Sequence, residues 1–226
     1  MRRLLLFLPL FFLAPAAVSQ TDDFGAWMTF SINKGIAGKL DLNFDQEFRL
    51  RYNLTDVNLF YTNVGLAYRF TKWFKISGTY RFIYKHKDDN TWGVRHRGYV
   101  DLAFRTKPGR YVLSYRARLQ SEIRTAGYSN EYGKVPEIYF RNLFKAGYKV
   151  NDVVTPYLAT EIRFQIQNPR IPYHNGIDRS RFIGGLDYAI NQNNTFGAYF
   201  LFQKEWNVKN PETLYIIGLE YVLSID

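Results

Sequence analysis

The sequence predicts an all-β fold, a closed antiparallel transmembrane barrel of ten strands, with twelve as the alternative. Three observations predict it. From Lys39 to Arg51 the chain alternates: Leu40, Leu42, Phe44, Phe48 and Leu50 are apolar, broken only by Gln46, while Lys39, Asp41, Asn43, Asp45, Glu47, Arg49 and Arg51 fall between them. A strand sends successive side chains to opposite faces, so one face is apolar and the other charged. The pattern recurs along the chain between connections that alternate in length, and aromatic residues gather at both ends of the apolar faces. Lipid outside and a polar lumen inside account for all three.

The first segment is of another kind. Met1-Arg2-Arg3, the apolar run Leu4 to Leu13 and the small residues Ala14, Ala16, Ala17 and Ser19 form the n-region, h-region and cleavage site of a secretory signal peptide, residues 1–19. The run is short for a membrane anchor. Residues 20–226 are then one barrel domain. A short strand, Phe24–Ile32, precedes ten longer ones: Asp41–Arg51, Val57–Phe70, Trp73–Lys85, Trp92–Thr106, Tyr111–Arg124, Glu137–Val150, Val154–Gln167, Arg181–Ile190, Thr195–Val208 and Thr213–Ser224. Most reach the 9–11 residues that a tilted strand needs to cross a bilayer. Ten strands close antiparallel. Phe24–Ile32 is then either extra N-terminal structure or part of a twelve-stranded arrangement.

Thr71-Lys72, Lys107-Pro108-Gly109, Asn151-Asp152 and Asn191 to Asn194 are tight turns. His86–Thr91, Thr125–Pro136 and Asn168–Ser180 are longer. Short periplasmic turns and long external loops orient the barrel. On the lipid face, one end carries Phe70, Phe74, Phe104, Tyr111, Tyr148, Tyr188 and Phe196, and the other Phe48, Phe60, Tyr84, Trp92, Phe140, Phe164 and Trp206. Such girdles mark the two interfaces of a membrane. The last strand alternates Tyr215, Ile217, Leu219, Tyr221 and Leu223, similar to an outer-membrane assembly signal, although the chain ends Ile225-Asp226.

Composition agrees. Aromatic residues make up 18% of the chain, which suits strands and girdles. The mean hydropathy of −0.30 is uninformative here, because alternating faces cancel. With no cysteine, disulfides and thiolate chemistry are excluded. The formal charge of +10 raises nucleic acid as a partner, but the basic residues alternate along strands instead of forming runs, so none is expected.

The inward faces repeat a theme. Glu47-x-Arg49, Glu122-x-Arg124 and Glu161-x-Arg163 each set a carboxylate and a guanidinium on one face. Arg81, Arg95, Arg97, Arg116, Arg118, Arg181 and Glu205, with Glu137 and Arg141, fall at similar height. Arginine stays charged and pairs carboxylates bidentately, so this layer is expected to fill the lumen as a hydrogen-bonded ladder. Inward cations exceed inward anions, and the other expectation is a constriction for a small anionic solute around Arg95, Arg97, Arg116 and Arg118.

These motifs resemble a known group. Trp27, Glu47-x-Arg49, Gly78-x-Tyr80-Arg81, Arg95-x-Arg97, Tyr115-Arg116-x-Arg118 and Arg181 with Gly185-Leu186-x-Tyr188 resemble the bacterial domain-of-unknown-function family 2490, outer-membrane barrels with no established activity. The resemblance covers nearly the whole chain after the signal and implies fold and location, not chemistry.

For metals, the three histidines His86, His96 and His174 lack ligand spacing, and no cofactor is expected. His86 and His174 fall in external loops. His96 falls on the lipid face. Pairing Thr106 with Tyr111 across the turn sets it opposite Ser121, with Asn142 on the next strand. A serine, a histidine and an asparagine at the lipid boundary form the one candidate catalytic set, an outer-membrane lipid hydrolase, although Ser121 and not the base would be central.

The sequence therefore points to an integral outer-membrane barrel of a Gram-negative bacterium. It is either a structural barrel with an Arg/Glu-filled lumen or a narrow anion-preferring, porin-like channel, with the hydrolase as the alternative. Expected partners are outer-membrane lipid, the barrel-assembly machinery during biogenesis and a small anion.

Overall fold

The two-residue periodicity is realised as eleven strands: β1 (Thr21–Ala37), β2 (Leu40–Arg51), β3 (Asp56–Arg69), β4 (Phe74–His86), β5 (Trp92–Thr106), β6 (Tyr111–Arg124), β7 (Glu137–Tyr148), β8 (Val154–Gln167), β9 (Gly176–Ala189), β10 (Asn194–Glu205) and β11 (Glu212–Ile225). The computed structural model describes residues 21–128, 135–168, 176–208 and 210–225. The signal peptide read at residues 1–19, the centres of the two longest loops and His174 lie outside the described residues.

Each strand pairs antiparallel with the next, and β1 closes the barrel by pairing parallel with β11. This corrects the expected ten or twelve strands. The even count assumes that the last strand meets the first as a hairpin would. A parallel pair forms evenly spaced, slanted bonds and closes an odd barrel equally well. The segment read as a nine-residue fragment is the longest strand, 17 residues, bonded to β2 on one side and β11 on the other. Its alternation supports this: Phe24, Ala26, Met28, Phe30 and Ile32 face outward, Gly25, Trp27, Thr29 and Ser31 inward. One consequence is that Thr21 lies beside Glu212 at the long-loop end, whereas β11 finishes at the tight-turn end.

Two further expectations shift. β9 begins at Gly176 and not Arg181, because its polar start, Asp178 to Ser180, reads as loop until a partner is seen. The turn after β5 is longer than drawn: Thr106 pairs with Leu113, not Tyr111, and Tyr111 donates its N–H to the Pro108 carbonyl at 3.1 Å. The loop between β2 and β3 carries three successive left-handed residues. Tyr52, Asn53 and Leu54 have φ of 52°, 53° and 70°. The Asp23 carboxylate of β1 holds this left-handed turn, accepting the Tyr52 and Asn53 N–H groups at 3.0 Å each. In the β4–β5 loop, hydrogen bonds from Thr91 and Lys87 draw the Asp89 carboxyl down to about 2.

Outward faces are apolar and exposed around the whole circumference, as at Phe30, Leu66, Val100, Leu119, Phe144, Leu158, Phe182, Phe200 and Ile217. Rings at the tight-turn end form one continuous belt: Phe70 on Phe74 at 5.6 Å, Phe74 on Phe104 at 4.7 Å, Phe104 on Tyr115 at 6.2 Å and Tyr115 on Phe144 at 4.6 Å. At the other end Phe60, Tyr84 and Trp92 pack together, with Tyr84 and Trp92 4.5 Å apart.

The apolar centre lies inside the barrel, beside the closing seam. Trp27, Leu201 and Ile216 are buried there against Ile183, Tyr199 and Leu214. Two glycines make room for Tyr199. A Cβ on Gly218 would lie 1.9 Å from its ring, and one on Gly185 would lie 2.8 Å from its Cβ. Gly218→Val is therefore expected to cost about 1–3 kcal/mol of overpacking strain. Tyr199→Ala in the same chain should recover most of it. A double-mutant cycle by guanidinium unfolding checks this, and strictly additive losses would refute the contact.

Candidate functional site in the lumen

Register, not sequence spacing, builds the lumen. One row runs Asp45, Asn63, Arg81, Arg97, Glu122, Glu137 across β2 to β7. A second runs Asp101, Arg118, Arg141, Arg163, Arg179, Glu205 across β5 to β10. The second sets four arginines side by side on adjacent strands. Like charges directly opposite are destabilising, so each needs an acid from elsewhere.

The acids are supplied along the row, from the neighbouring row and from a bulge. Arg118 grips Asp101 through Nε at 2.6 Å and Nη2 at 2.7 Å. Arg163 grips Asp178 twice at 2.8 Å, where β9 bulges inward. Arg179 pairs with Glu205. Arg141 has no acid in its own row and reaches Glu161 at 2.5 Å. Glu161 also accepts from Arg116 at 2.8 Å and Arg181 at 3.1 Å.

The first row is completed in the same way. Glu122 accepts from Arg97 Nε at 2.8 Å and Arg95 at 3.3 Å, and Glu137 pairs with Arg124 at 2.9 Å. Arg49 pairs with Glu47, which also accepts from Tyr61 at 2.6 Å and Thr29 at 2.9 Å. Arg81 donates to Asn63 at 2.7 Å.

Aromatic rings form the third component. Arg49 sits 3.6 Å over Trp27, Arg81 3.5 Å over Tyr61, Arg118 3.8 Å over Tyr99 and Arg163 4.3 Å over Tyr139. Such stacking is worth more once the cation is desolvated. The layer is tightly packed: Glu122 is 2% exposed, Glu161 4%, Arg81 7% and Arg118 7%. Towards the tight-turn end the inward residues become small, with Ala67, Ser77, Thr79, Ala103, Ser114 and Ala159. Side-chain exposure rises there to 27% at Arg116 and 31% at Lys145.

The structure places every residue of the expected charge layer on inward positions: Glu47, Arg49, Arg81, Arg95, Arg97, Arg116, Arg118, Glu122, Arg124, Glu161, Arg163, Arg181 and Glu205. It does not leave Arg95, Arg97, Arg116 and Arg118 unpaired, since each holds a carboxylate. Counting charges on a face overstates free arginine, because one glutamate serves two or three. Sequence reasoning missed Asp101 and Asp178 and the stacked Tyr61, Tyr99 and Tyr139. An inward tyrosine on a strand next to an inward arginine was the available signal.

The outward-facing trio is not brought together. Ser121 pairs with Gly98, not His96, which pairs with Ile123. Ser121 is opposite Ile138, four residues from Asn142, or about 14 Å along a strand. His96 Nδ1 shares a 2.6 Å hydrogen bond with the Tyr80 hydroxyl, and Asn142 accepts from Tyr115 at 2.7 Å. Likewise Gln46, the break in the β2 stripe, accepts from Thr62 at 2.6 Å. His96, Asn142 and Gln46 are thus each satisfied by a neighbour on the adjacent strand. His86 lies at the long-loop end, 3.0 Å from Asp56. Among the described residues no cluster of His, Asp and Glu could hold a metal ion.

Comparison with known proteins adds a family. The sequence model of the family described as "Protein of unknown function (DUF2490)" matches residues 24–213. No curated protein matches the chain. Among solved structures it is similar to a chain titled "Bacterial polysaccharide outer membrane secretin", with 11% identity and a TM-score of 0.44, over 79% of this chain and 73% of that one.

Proposed function

We propose that this chain, which belongs to the family of proteins of unknown function DUF2490, is an integral outer-membrane barrel of a Gram-negative bacterium with a closed lumen and a structural role. The observation that carries the reading is the lumen layer itself. Two cross-strand rows of arginine, carboxylate and stacked tyrosine meet in a packed interior. Conduction needs a continuous path with weak sites along it. Here most inward arginines are held by acids and rings. The exterior supports insertion: a continuous apolar surface with aromatic belts at both ends suits lipid outside, and a barrel leaves no unpaired edge in the bilayer. The tight-turn end faces the periplasm, which puts Thr21 at the outer surface. Export by the signal peptide and insertion by the barrel-assembly machinery complete this reading.

The channel reading draws on the surplus of inward cations and the hydrolase reading on His96, Ser121 and Asn142. The pairing of the arginines and the separation of the trio favour the closed barrel over both. Refolded protein should run as a compact, heat-modifiable species and stay silent in a planar bilayer held across a salt gradient. A steady conductance from that folded species would overturn the closed-lumen reading.

A further inference from the structure

Most acids in the lumen are matched to one or two cations. Around Glu161 the balance fails. Arg116, Arg141 and Arg181 all point their guanidinium groups at its one carboxylate, at 2.8, 2.5 and 3.1 Å. Arg181 has Gln203 as its other partner, at 2.9 Å, which is neutral. The neighbouring Asp101 is held by both forks of Arg118. Asp178 is held by both forks of Arg163, and Glu205 by Arg179. Three cations thus share one anion. Buried charges persist only when paired.

The donors agree with the charge count. Nε of Arg116 and Nε of Arg141 are both buried with no acceptor. Each arginine spends a terminal nitrogen on Glu161 and keeps an unused N–H in the same cluster. A guanidinium fork with unused donors matches the oxygens of a phosphate or a carboxylate. Access comes from one side. Arg116, Leu143, Glu161 and Arg181 form one cross-strand row, a step nearer the tight-turn end than the arginine row. Side-chain exposure falls from 31% at Lys145 and 27% at Arg116 to 5% at Glu161, so the cluster is reached from the tight-turn end, where the inward residues include the small Ala103, Ser114 and Ala159.

We propose that Arg116, Arg141 and Arg181 form a binding site for a small oxyanion of the phosphate type, entered from the tight-turn end. That approach ends on the packed layer, so the anion docks and does not pass. The site is independent of the closed-lumen reading, because conductance and binding are measured separately.

The test is calorimetric titration of the folded barrel with inorganic phosphate, in zwitterionic detergent and a weakly coordinating gluconate buffer. Saturable binding near one per barrel is expected. Arg116→Gln should weaken it at least tenfold. Arg69→Gln, at the exposed rim and paired with Asp41, should leave it unchanged. If Arg116→Gln does not fold, Arg116→Lys keeps the charge, removes the fork and should weaken binding at least threefold. Vesicles containing phosphatidylglycerol in place of free phosphate should not compete, since a headgroup on a bilayer cannot enter the lumen. No phosphate binding, equal loss in the Arg116 and Arg69 variants, or displacement by the anionic vesicles would each overturn the proposal.

Discussion

Met28→Pro is expected to abolish the folded, heat-modifiable band altogether, while Met28→Ala leaves it in place. Met28 lies in the middle of β1, opposite Phe48 of β2 and Leu219 of β11. Its side chain faces outward, so trimming it to alanine removes apolar surface without disturbing the lumen. Proline acts on the backbone. In a strand bonded on both sides it removes a ladder hydrogen bond and forces its ring into the neighbouring strand, at about 3 kcal/mol or more. For a barrel inserted in lipid, as proposed, the orphaned carbonyl cannot turn to water, so the loss is larger than in a soluble sheet. The two variants also separate the architectures. A ten-stranded barrel in which residues 24–32 are an appendage would fold with proline at 28. A folded Met28→Pro barrel would therefore refute the parallel β1–β11 closure.

Why the sequence revealed the barrel but not this closure follows from what alternation encodes. Leu40 to Leu50 shows which side chains face outward, and the same pattern in the later strands shows a sheet that turns back repeatedly, but not that Phe24–Ile32 counts among its strands. Neither says which strand lies beside which at the seam. β1 shows the difficulty, because beyond Ile32 its alternation weakens through Asn33, Lys34 and Gly35 and the strand looks shorter than it is. Register is lost in the same way. A turn drawn two residues short moved His96 onto Ser121, and that slip made a catalytic trio out of polar groups that lie apart. The charge layer was legible residue by residue, since inward parity depends only on alternation. Its pairing was not. Asp178 was hidden in a segment read as loop, and the four-arginine row exists only once β6, β7, β8 and β9 are aligned.

The largest single side-chain effect in the lumen should come from Glu161, and it should far exceed that of its partner Arg116. Glu161→Gln keeps the shape and removes the one negative charge that holds Arg116, Arg141 and Arg181 together. Three guanidinium groups would then face one another with only neutral amide oxygens, those of Gln203, Gln120 and the substituted side chain, as acceptors. Removing one member of a buried ion pair typically costs 3–5 kcal/mol, because the partner is left uncompensated, and here three partners are left. Arg116→Gln does the reverse. It removes a surplus cation, relieves repulsion on Arg141 and Arg181, and leaves Glu161 still doubly paired. Its stability should fall by less than about 1 kcal/mol or rise, because the net loss of one hydrogen bond is offset by the repulsion that is relieved. Guanidinium unfolding of both variants in vesicles reads the two values on one scale. Equal losses from the two would mean that the cluster is held by packing and hydrogen-bond count. A loss confined to Glu161→Gln would mean that it is held by charge, with the single acid as its keystone.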